Sequence, residues 1–284
     1  RFTMVGKTIK KWWPIFVLPT LAAFIIGFLW PFIWGIYLSF CKFTTVQDVT
    51  FVGFSNYQKI LLDNTFSHAF WLTVAFAFIS SILINVLAFS IALALTKGFK
   101  GTNVFRTVFF MPNLIGGIVL GYIWQSMING VLAKFGVTML LDPKYGYWGL
   151  IILMNWQLIG YIMIIYIAGL QSIDTDVYEA ADLDGATGLK RFSKITFPLL
   201  APSFTINMVL SAKGYLMVYD QIMAMTDGGP GTSTTSIAVL IYKKGFGGGQ
   251  FAYQSANAVM LFVVVVLISV FQLRVLEKRE EKLG

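Results

Sequence analysis

Seven polar side chains stand inside or beside otherwise apolar runs: Asn85, Gln125, Asn155, Gln157, Asn207, Lys213 and Asp220. A charge at mid-bilayer costs at least about 2.5 kcal/mol, so each must face a partner side chain, a partner subunit or a water-filled path. On one continuous helix counted from Pro202 at about 1.5 Å per residue, Lys213 falls about 16 Å in and Asp220 about 27 Å in. They would share a face but stand about 10 Å apart, too far for a direct ion pair. Ser211, Tyr215 and Val218 make a second stripe at i, i+4 and i+7. Gln157 and Tyr161 form an i, i+4 pair beside Trp156. Hydroxyls and amides next to flat aromatic rings suit a polyol with apolar C–H faces, such as a sugar. The same pattern serves as polar glue between helices, and spacing alone leaves both readings open.

The elements that position these residues are membrane helices. Of 284 residues, 57% are hydrophobic and only 12% are charged, about half the charge of a soluble domain. That excludes disorder, a collagen, a disulfide scaffold and a compact soluble enzyme. The net charge of +8 lies in short clusters between apolar runs, which marks membrane topology rather than nucleic-acid binding. One cysteine, Cys41, and one histidine, His68, make neither a disulfide nor a metal cluster. Cys41 reads as an interface residue and His68 as a loop-end residue.

Six segments reach the roughly 20 residues that a span needs: 15–40, 69–95, 108–128, 148–170, 203–225 and 256–273. Residues 237–242 are too short to span and read as interfacial or re-entrant. Six spans put both termini on one side, and that side holds 14 lysines and arginines against 6, with Lys213 inside a span. Both termini are therefore expected in the cytoplasm. This divides the chain into a cytoplasmic N-terminus (1–14), a transmembrane domain (15–273) and a cytoplasmic tail (274–284). The first span is too long for a signal peptide and lacks a small-residue cleavage site, so it reads as a retained anchor. Pro19, Pro31 and Pro112, with Gly116, Gly117 and Gly121, should loosen their helices, and Gly117-x-x-x-Gly121 permits close helix approach.

No phosphate-cradling loop of the G-x-x-x-x-G-K-[ST] type occurs, and no paired carboxylates, zinc spacing or nucleophile elbow. The chain is not expected to be an enzyme, so energy must arrive from a partner.

The connection 171–198 is where a partner would dock. Asp176 with Glu179 three positions on resembles a capping box, so a short helix should begin near Val177. Gly185 should stop it. A second short helix should follow from Thr187, with Leu189, Phe192 and Ile195 on one face. Lys190, Arg191 and Lys194 fall elsewhere, available to anionic lipid or a partner, and Pro198 should end the element.

Tyr178-Glu179-Ala180-Ala181-Asp182-Leu183-Asp184-Gly185-Ala186, then Phe192, Ile195-Thr196 and Pro198-Leu199, resembles the EAA signature of ABC importer permeases. Tyr219-Asp220-Gln221-Ile222, then Met225-Thr226 and Gly228-Gly229-Pro230, is similar to a segment of the carbohydrate importers of the maltose-type and multiple-sugar-type family. Ala168-Gly169-Leu170-Gln171-Ser172-Ile173 matches the stretch that precedes the EAA loop there. The resemblance runs from Trp12 to Arg274.

It implies an all-α integral membrane fold, the six-helix type I permease core, pairing with a second related permease in a bacterial or archaeal cytoplasmic membrane. The EAA loop would seat in a cytoplasmic ATPase, one of two. Glu179 and Asp184-Gly185 would be central to it, with Ala180, Ala181, Ala186, Phe192 and Pro198 completing the motif. ATP and magnesium would be held by the ATPase subunits, and this chain would bind no cofactor itself. An extracytoplasmic binding protein would deliver the substrate, a di- or oligosaccharide moved by alternating access. The family's sugar contacts map by spacing onto Tyr161, Ser211, Tyr215 and Val218, with Trp156 and Gln157 beside them. Lys213, Tyr219 and Asp220 complete the candidate lining. Tyr215 and Val218 stand where some relatives carry asparagines. Lys213 keeps an anionic or non-sugar solute open, such as an acidic sugar, glycerol phosphate or a peptide. A secondary transporter is the remaining alternative, though neither inverted repeats nor several buried carboxylates are evident.

Overall fold

The computed structural model describes residues 2–43, 48–98, 100–139 and 141–280, and most of them are helical. Arg1 and Lys282, two of the basic residues behind the orientation expectation, lie outside the described residues. The chain folds as two compact units, residues 1–62 with 241–260, and residues 63–240 with 261–284.

In the first unit, α1 (Phe2–Phe24) continues through a π turn (Ile25–Leu29) into α2 (Trp30–Ser39). A two-residue β1 (Cys41–Lys42) pairs antiparallel with β2 (Thr50–Phe51), and α3 (Ser55–Leu62) follows. Asn56 pins this turn, its Nδ2 donating to the carbonyls of Ser39 (2.9 Å) and Cys41 (2.8 Å). Cys41 is fully buried there, with Sγ 3.4 Å from the Tyr37 carbonyl.

The second unit opens with α4 (Asn64–Leu95), α5 (Thr102–Phe110), a 3₁₀ turn (Met111–Leu114) and α6 (Gly117–Leu132). Then come α7 (Pro143–Gln171), α8 (Thr175–Leu183), α9 (Gly188–Arg191), a π turn (Phe192–Thr196), α10 (Phe197–Leu199) and α11 (Ala201–Leu216). After α12 (Asp220–Met225) and α13 (Ile237–Tyr242), the long α14 (Phe251–Glu280) closes the described chain and runs through both units. The Asp63 side chain caps α4 by accepting from the Thr65 N–H at 2.8 Å, so α4 starts five residues before the expected span. His68 is therefore an exposed residue of the helix, not of a loop end.

Four helical stretches are long and apolar enough to cross a membrane: Trp12–Ser39, Asn64–Leu95, Pro143–Gln171 and Phe251–Lys278. Two bent pairs raise the number to six if each pair is one span. The expected third span is not one straight helix, because Thr102–Leu114 and Gly117–Phe135 meet at 100°. Pro112 lacks a backbone donor, and Ile115 and Gly116 are extended (ψ 132° and 140°), which ends one helix and opens the next. The expected fifth span is also interrupted. The chain bends by 63° at Leu200, and α11 stops at Leu216 before three non-helical residues, with Tyr219 at φ −138°, ψ −61°. Lys213 and Asp220 consequently do not share a continuous helix, and the depth count through both does not hold.

The centre of this unit is α4, α7 and α11, where Phe76, Ile84, Leu153, Met163, Tyr166 and Tyr215 are fully buried. Hydrocarbon is as apolar as leucine, so helices associate there through close packing and interhelical hydrogen bonds. Gly160 of α7 shows the first of these, since a Cβ there would strike the Phe109 backbone carbonyl.

Candidate functional site

The α11 helix is turned so that Thr205, Asn207, Ser211, Ala212, Tyr215 and Leu216 point inward. The Tyr166 hydroxyl donates to Asn85 Oδ1 (2.6 Å), and Asn85 Nδ2 donates to Ser211 Oγ (3.1 Å) and the Ser81 carbonyl (2.7 Å). One turn along, the Tyr215 hydroxyl donates to Asn155 Oδ1 at 3.2 Å, and Asn207 Nδ2 donates to the Ile162 carbonyl at 3.2 Å. Ser211 and Tyr215, named from sequence for a solute, thus have their polar atoms engaged in a ladder tying α4, α7 and α11 together. Val218 leaves the helix and is buried, its carbonyl accepting from Ser236 Oγ at 2.7 Å.

A second polar cluster lies where the two broken helices meet. Gln157, buried on α7, donates through Nε2 to the Ile115 carbonyl (3.0 Å) and accepts through Oε1 from Gln221 Nε2 (2.8 Å). This satisfies a carbonyl that the break after Pro112 frees from the helix ladder. Gln125 Nε2 donates to the Met225 carbonyl at 2.9 Å. The α6 and α12 helices approach closely at two glycines. A Cβ at Gly117 would lie 2.6 Å from Gln221 Nε2 and 3.0 Å from Asp220 Cβ, and one at Gly121 would lie 2.5 Å from Ala224 Cβ. The Gly117-x-x-x-Gly121 spacing is therefore a packing motif, as its small residues suggested.

Around this cluster the aromatic surface is open. Trp156 and Tyr161 are exposed on α7, and the Trp156 ring lies 5.5 Å from that of Trp124. Lys213 and Asp220 are exposed, Tyr219 is half-buried, and neither charge forms an ion pair among the described residues. The fold brings Gln157 to Gln221, with Gln221 and Asp220 both against Gly117, and sets Trp156 against Trp124. Sequence reasoning missed Gln221 and Trp124 as members of this cluster; Gln221 lay inside the Tyr219–Ile222 motif without a role of its own.

The segment after α12 was likewise undervalued. Thr226 and Thr234 hydroxyls meet at 2.8 Å, Thr234 and Thr235 donate to the Gly229 and Gly228 carbonyls at 3.0 Å each, and Thr73 Oγ1 of α4 accepts from the Ile237 N–H at 3.1 Å. The run Thr232 to Ser236 was the signal for this hydroxyl clasp.

The loop after α7 forms a stiff lug. Its first helix, α8, is capped by Asp174, whose carboxylate accepts from the Asp176 N–H at 3.1 Å. The expected cap, Asp176, lies inside the first turn, because Asp174 has the extended backbone (ψ 138°) that a cap requires. Gly185 does stop the helix. It takes φ +70°, its N–H donates to the Asp182 carbonyl (3.1 Å), and the Ala186 N–H donates to the Ala181 carbonyl (2.8 Å), a Schellman closure. Arg191 Nη1 reaches both carboxylate oxygens of Asp182, and its guanidinium lies over the Tyr178 ring, 5.5 Å from the centroid.

The π turn at 192–196 breaks the three-residue spacing expected of Leu189, Phe192 and Ile195. Leu189 is 85% exposed, while Phe192 is half-buried against Phe89 (6.0 Å) and Phe197 (6.1 Å). Pro198 lies in α10, two residues before the bend at Leu200. Glu179, Ala180, Asp184 and Gly185 are exposed with Leu183, whereas Ala181 and Ala186 are buried. Among the described residues, no three His, Cys, Asp or Glu side chains gather into a metal-binding group.

Residues 84–282 match the family described as binding-protein-dependent transport system inner membrane component. The chain is 36% identical over 277 residues to a probable starch degradation products transport system permease protein of Thermoanaerobacterium thermosulfurigenes, covering 95% of each. It is 32% identical to a multiple sugar-binding transport system permease protein of Streptococcus mutans, covering 97% of this chain and 99% of that one. The fold is similar to that of a chain in a bacterial ABC transporter involved in the import of the acidic polysaccharide alginate, with a TM-score of 0.81 at 24% identity, covering 97% of this chain and 99% of that chain. With its family match over two thirds of its length and relatives aligned almost end to end, the chain belongs to the binding-protein-dependent transport system inner membrane components.

Proposed function

We propose that the chain is the permease subunit of an ATP-driven, binding-protein-dependent importer of sugars, with di- or oligosaccharides as substrates. It is a transport subunit and not an enzyme. The observation that carries this reading is the α8–α9 lug, closed on itself by Asp182–Arg191 and Gly185, joined to α7 by residues 172–174 and to α11 through the π turn and α10. A stiff element of this kind transmits a push from a docked protein into two membrane-crossing elements.

In this reading the chain crosses a bacterial or archaeal cytoplasmic membrane six times, each bent pair counted once, with residues 1–14, the lug and residues 274–284 in the cytoplasm. The excess of lysine and arginine on that side supports it. Two cytoplasmic ATPase subunits hold ATP and magnesium. One of them seats the face made by Glu179, Ala180, Asp184 and Gly185. A second, related permease completes the path, and an extracytoplasmic binding protein loads it.

Closure of the ATPase pair moves the lug as a rigid body, and α7 and α11 turn with it. The path opens outward to accept sugar and inward again when the ATPases separate. Within this chain the solute lies against the exposed Trp156 and Tyr161 rings, near Tyr219 and Asp220. The Gln157–Gln221 amide pair holds the wall behind them.

The test is ATP hydrolysis in proteoliposomes containing this chain, its permease and ATPase partners and the binding protein, across a sugar panel. Stimulation by one di- or oligosaccharide, only with its loaded binding protein, is the expected result. Silence across all neutral sugars overturns the sugar reading. A second reading, an anionic solute, is favoured by Lys213, which is exposed and unpaired among the described residues. A response confined to acidic sugars or glycerol phosphate, lost in Lys213→Gln, selects it.

A further inference from the structure

The end of the second unit opposite the lug carries a cleft of about 560 Å³ that the path does not use. Its long wall is one face of α4, with Asn64, Ser67, His68 and Trp71 at i, i+3, i+4 and i+7 and Leu72 beside them. Tyr147, in the second turn of α7, closes the other side. The cleft is shallow and open along one side, so a ligand there would be held on one face.

Two features decide what the cleft can hold. Trp71 is 66% exposed, with Phe70 edge-on to it at 5.3 Å, and Tyr147 is held edge-on to Phe76 at 5.9 Å. These contacts set two rings at the rim of one cavity. The Asn64 amide, Ser67 hydroxyl and His68 imidazole are exposed and make no side-chain hydrogen bond among the described residues, and the Tyr147 hydroxyl makes none either. The wall therefore offers an amide, two hydroxyls and an imidazole beside apolar ring faces. A glycan ring has hydroxyls around its edge and C–H groups on its faces, and it matches both. A phosphate would find no lysine or arginine in the lining, and an acyl chain would leave the polar groups unmatched.

We propose that this cleft is a second carbohydrate site that holds a neutral glycosyl unit at the extracytoplasmic end, separate from the path lined by Trp156 and Tyr161. The placement at that end rests on the orientation proposed above; the ligand class rests on the cleft alone. Held there, one end of an oligosaccharide stays at the mouth while the remainder enters the path.

The assembled transporter in phosphatidylethanolamine–phosphatidylglycerol nanodiscs, without binding protein, is titrated with maltotriose and with methyl α-glucoside. Binding is read by saturation transfer to the sugar C–H protons. Wild type should show transfer from at least one sugar. Trp71→Ala should weaken it about tenfold, the scale of one lost aromatic contact, while Trp71→Phe keeps most of it. Asn64→Ala with Ser67→Ala should weaken it severalfold without changing thermal stability. Equal binding by wild type and Trp71→Ala, or no transfer to wild type from either sugar, overturns the proposal. So does a Trp71→Ala effect confined to co-purified lipid, which makes Trp71 a bilayer-interface anchor. Failure of the importer reading shows differently, as absent sugar-stimulated ATP hydrolysis with cleft binding intact.

Discussion

Arg191 and Asp182 lock the two arms of the lug together, with Nη1 at 3.0 Å and 3.1 Å from the two carboxylate oxygens and the guanidinium over Tyr178. Both side chains are substantially exposed, so the pair adds at most about 1 kcal/mol to stability. Its consequence is stiffness between α8 and α9. Asp182→Asn should leave membrane insertion and melting temperature nearly unchanged while sugar uptake falls severalfold. Uptake at the wild-type rate in reconstituted vesicles would show that the lug transmits force without this clasp.

Gly185 carries the sharpest backbone requirement in the lug. At φ +70° an alanine pays about 1–2 kcal/mol, and no neighbour lies within 4 Å of the new Cβ, so the effect is conformational and not steric. Gly185→Ala and Glu179→Ala should both uncouple ATP hydrolysis from uptake with the chain still inserted. Normal uptake in either variant, with ATPase subunits bound, sinks the coupling assignment.

Gly160 and Gly130 differ in what surrounds them. A Cβ at Gly160 meets the Phe109 carbonyl, whereas one at Gly130 meets nothing within 4 Å. Gly160→Ala should cost about 1–3 kcal/mol through forced backbone shifts, visible as earlier thermal unfolding in detergent. Gly130→Ala should melt like wild type.

Tyr215 and Tyr161 offer a test of a structural role against the proposed solute-facing one. Removing the Tyr215 hydroxyl leaves Asn155 Oδ1 without its 3.2 Å donor, so Tyr215→Phe should cost about 0.6–1.5 kcal/mol and leave the sugar concentration for half-maximal uptake unchanged. Tyr161→Ala should do the reverse, raising that concentration severalfold with stability held within about 0.5 kcal/mol, as for other exposed positions. A shifted sugar dependence in Tyr215→Phe would return Tyr215 to the path.

Composition, run lengths and the spaced motif from Tyr178 to Leu199 were enough to identify a helical permease of this family. Hydropathy over about 20 residues and short caps are local properties, written in neighbouring residues. The stop at Gly185 was legible for the same reason, since only the local φ is at stake. The start of α8 was less so: Asp174 and Asp176 are both good caps, and the backbone around them chose the first.

Tertiary structure alone decided which way each helix faces. In a bilayer both lipid and core are apolar, so a mixed stripe such as Ser211–Lys213–Tyr215 does not reveal its inner side. Packing of α11 on Asn85 and Asn155 turned Ser211 and Tyr215 inward and left Lys213 outside. The breaks at Ile115–Gly116 and Met217–Tyr219 likewise depend on what lies across from them. The carbonyl freed at Ile115 finds its donor in Gln157, 42 residues away in sequence, and Gln157 is held in turn by Gln221.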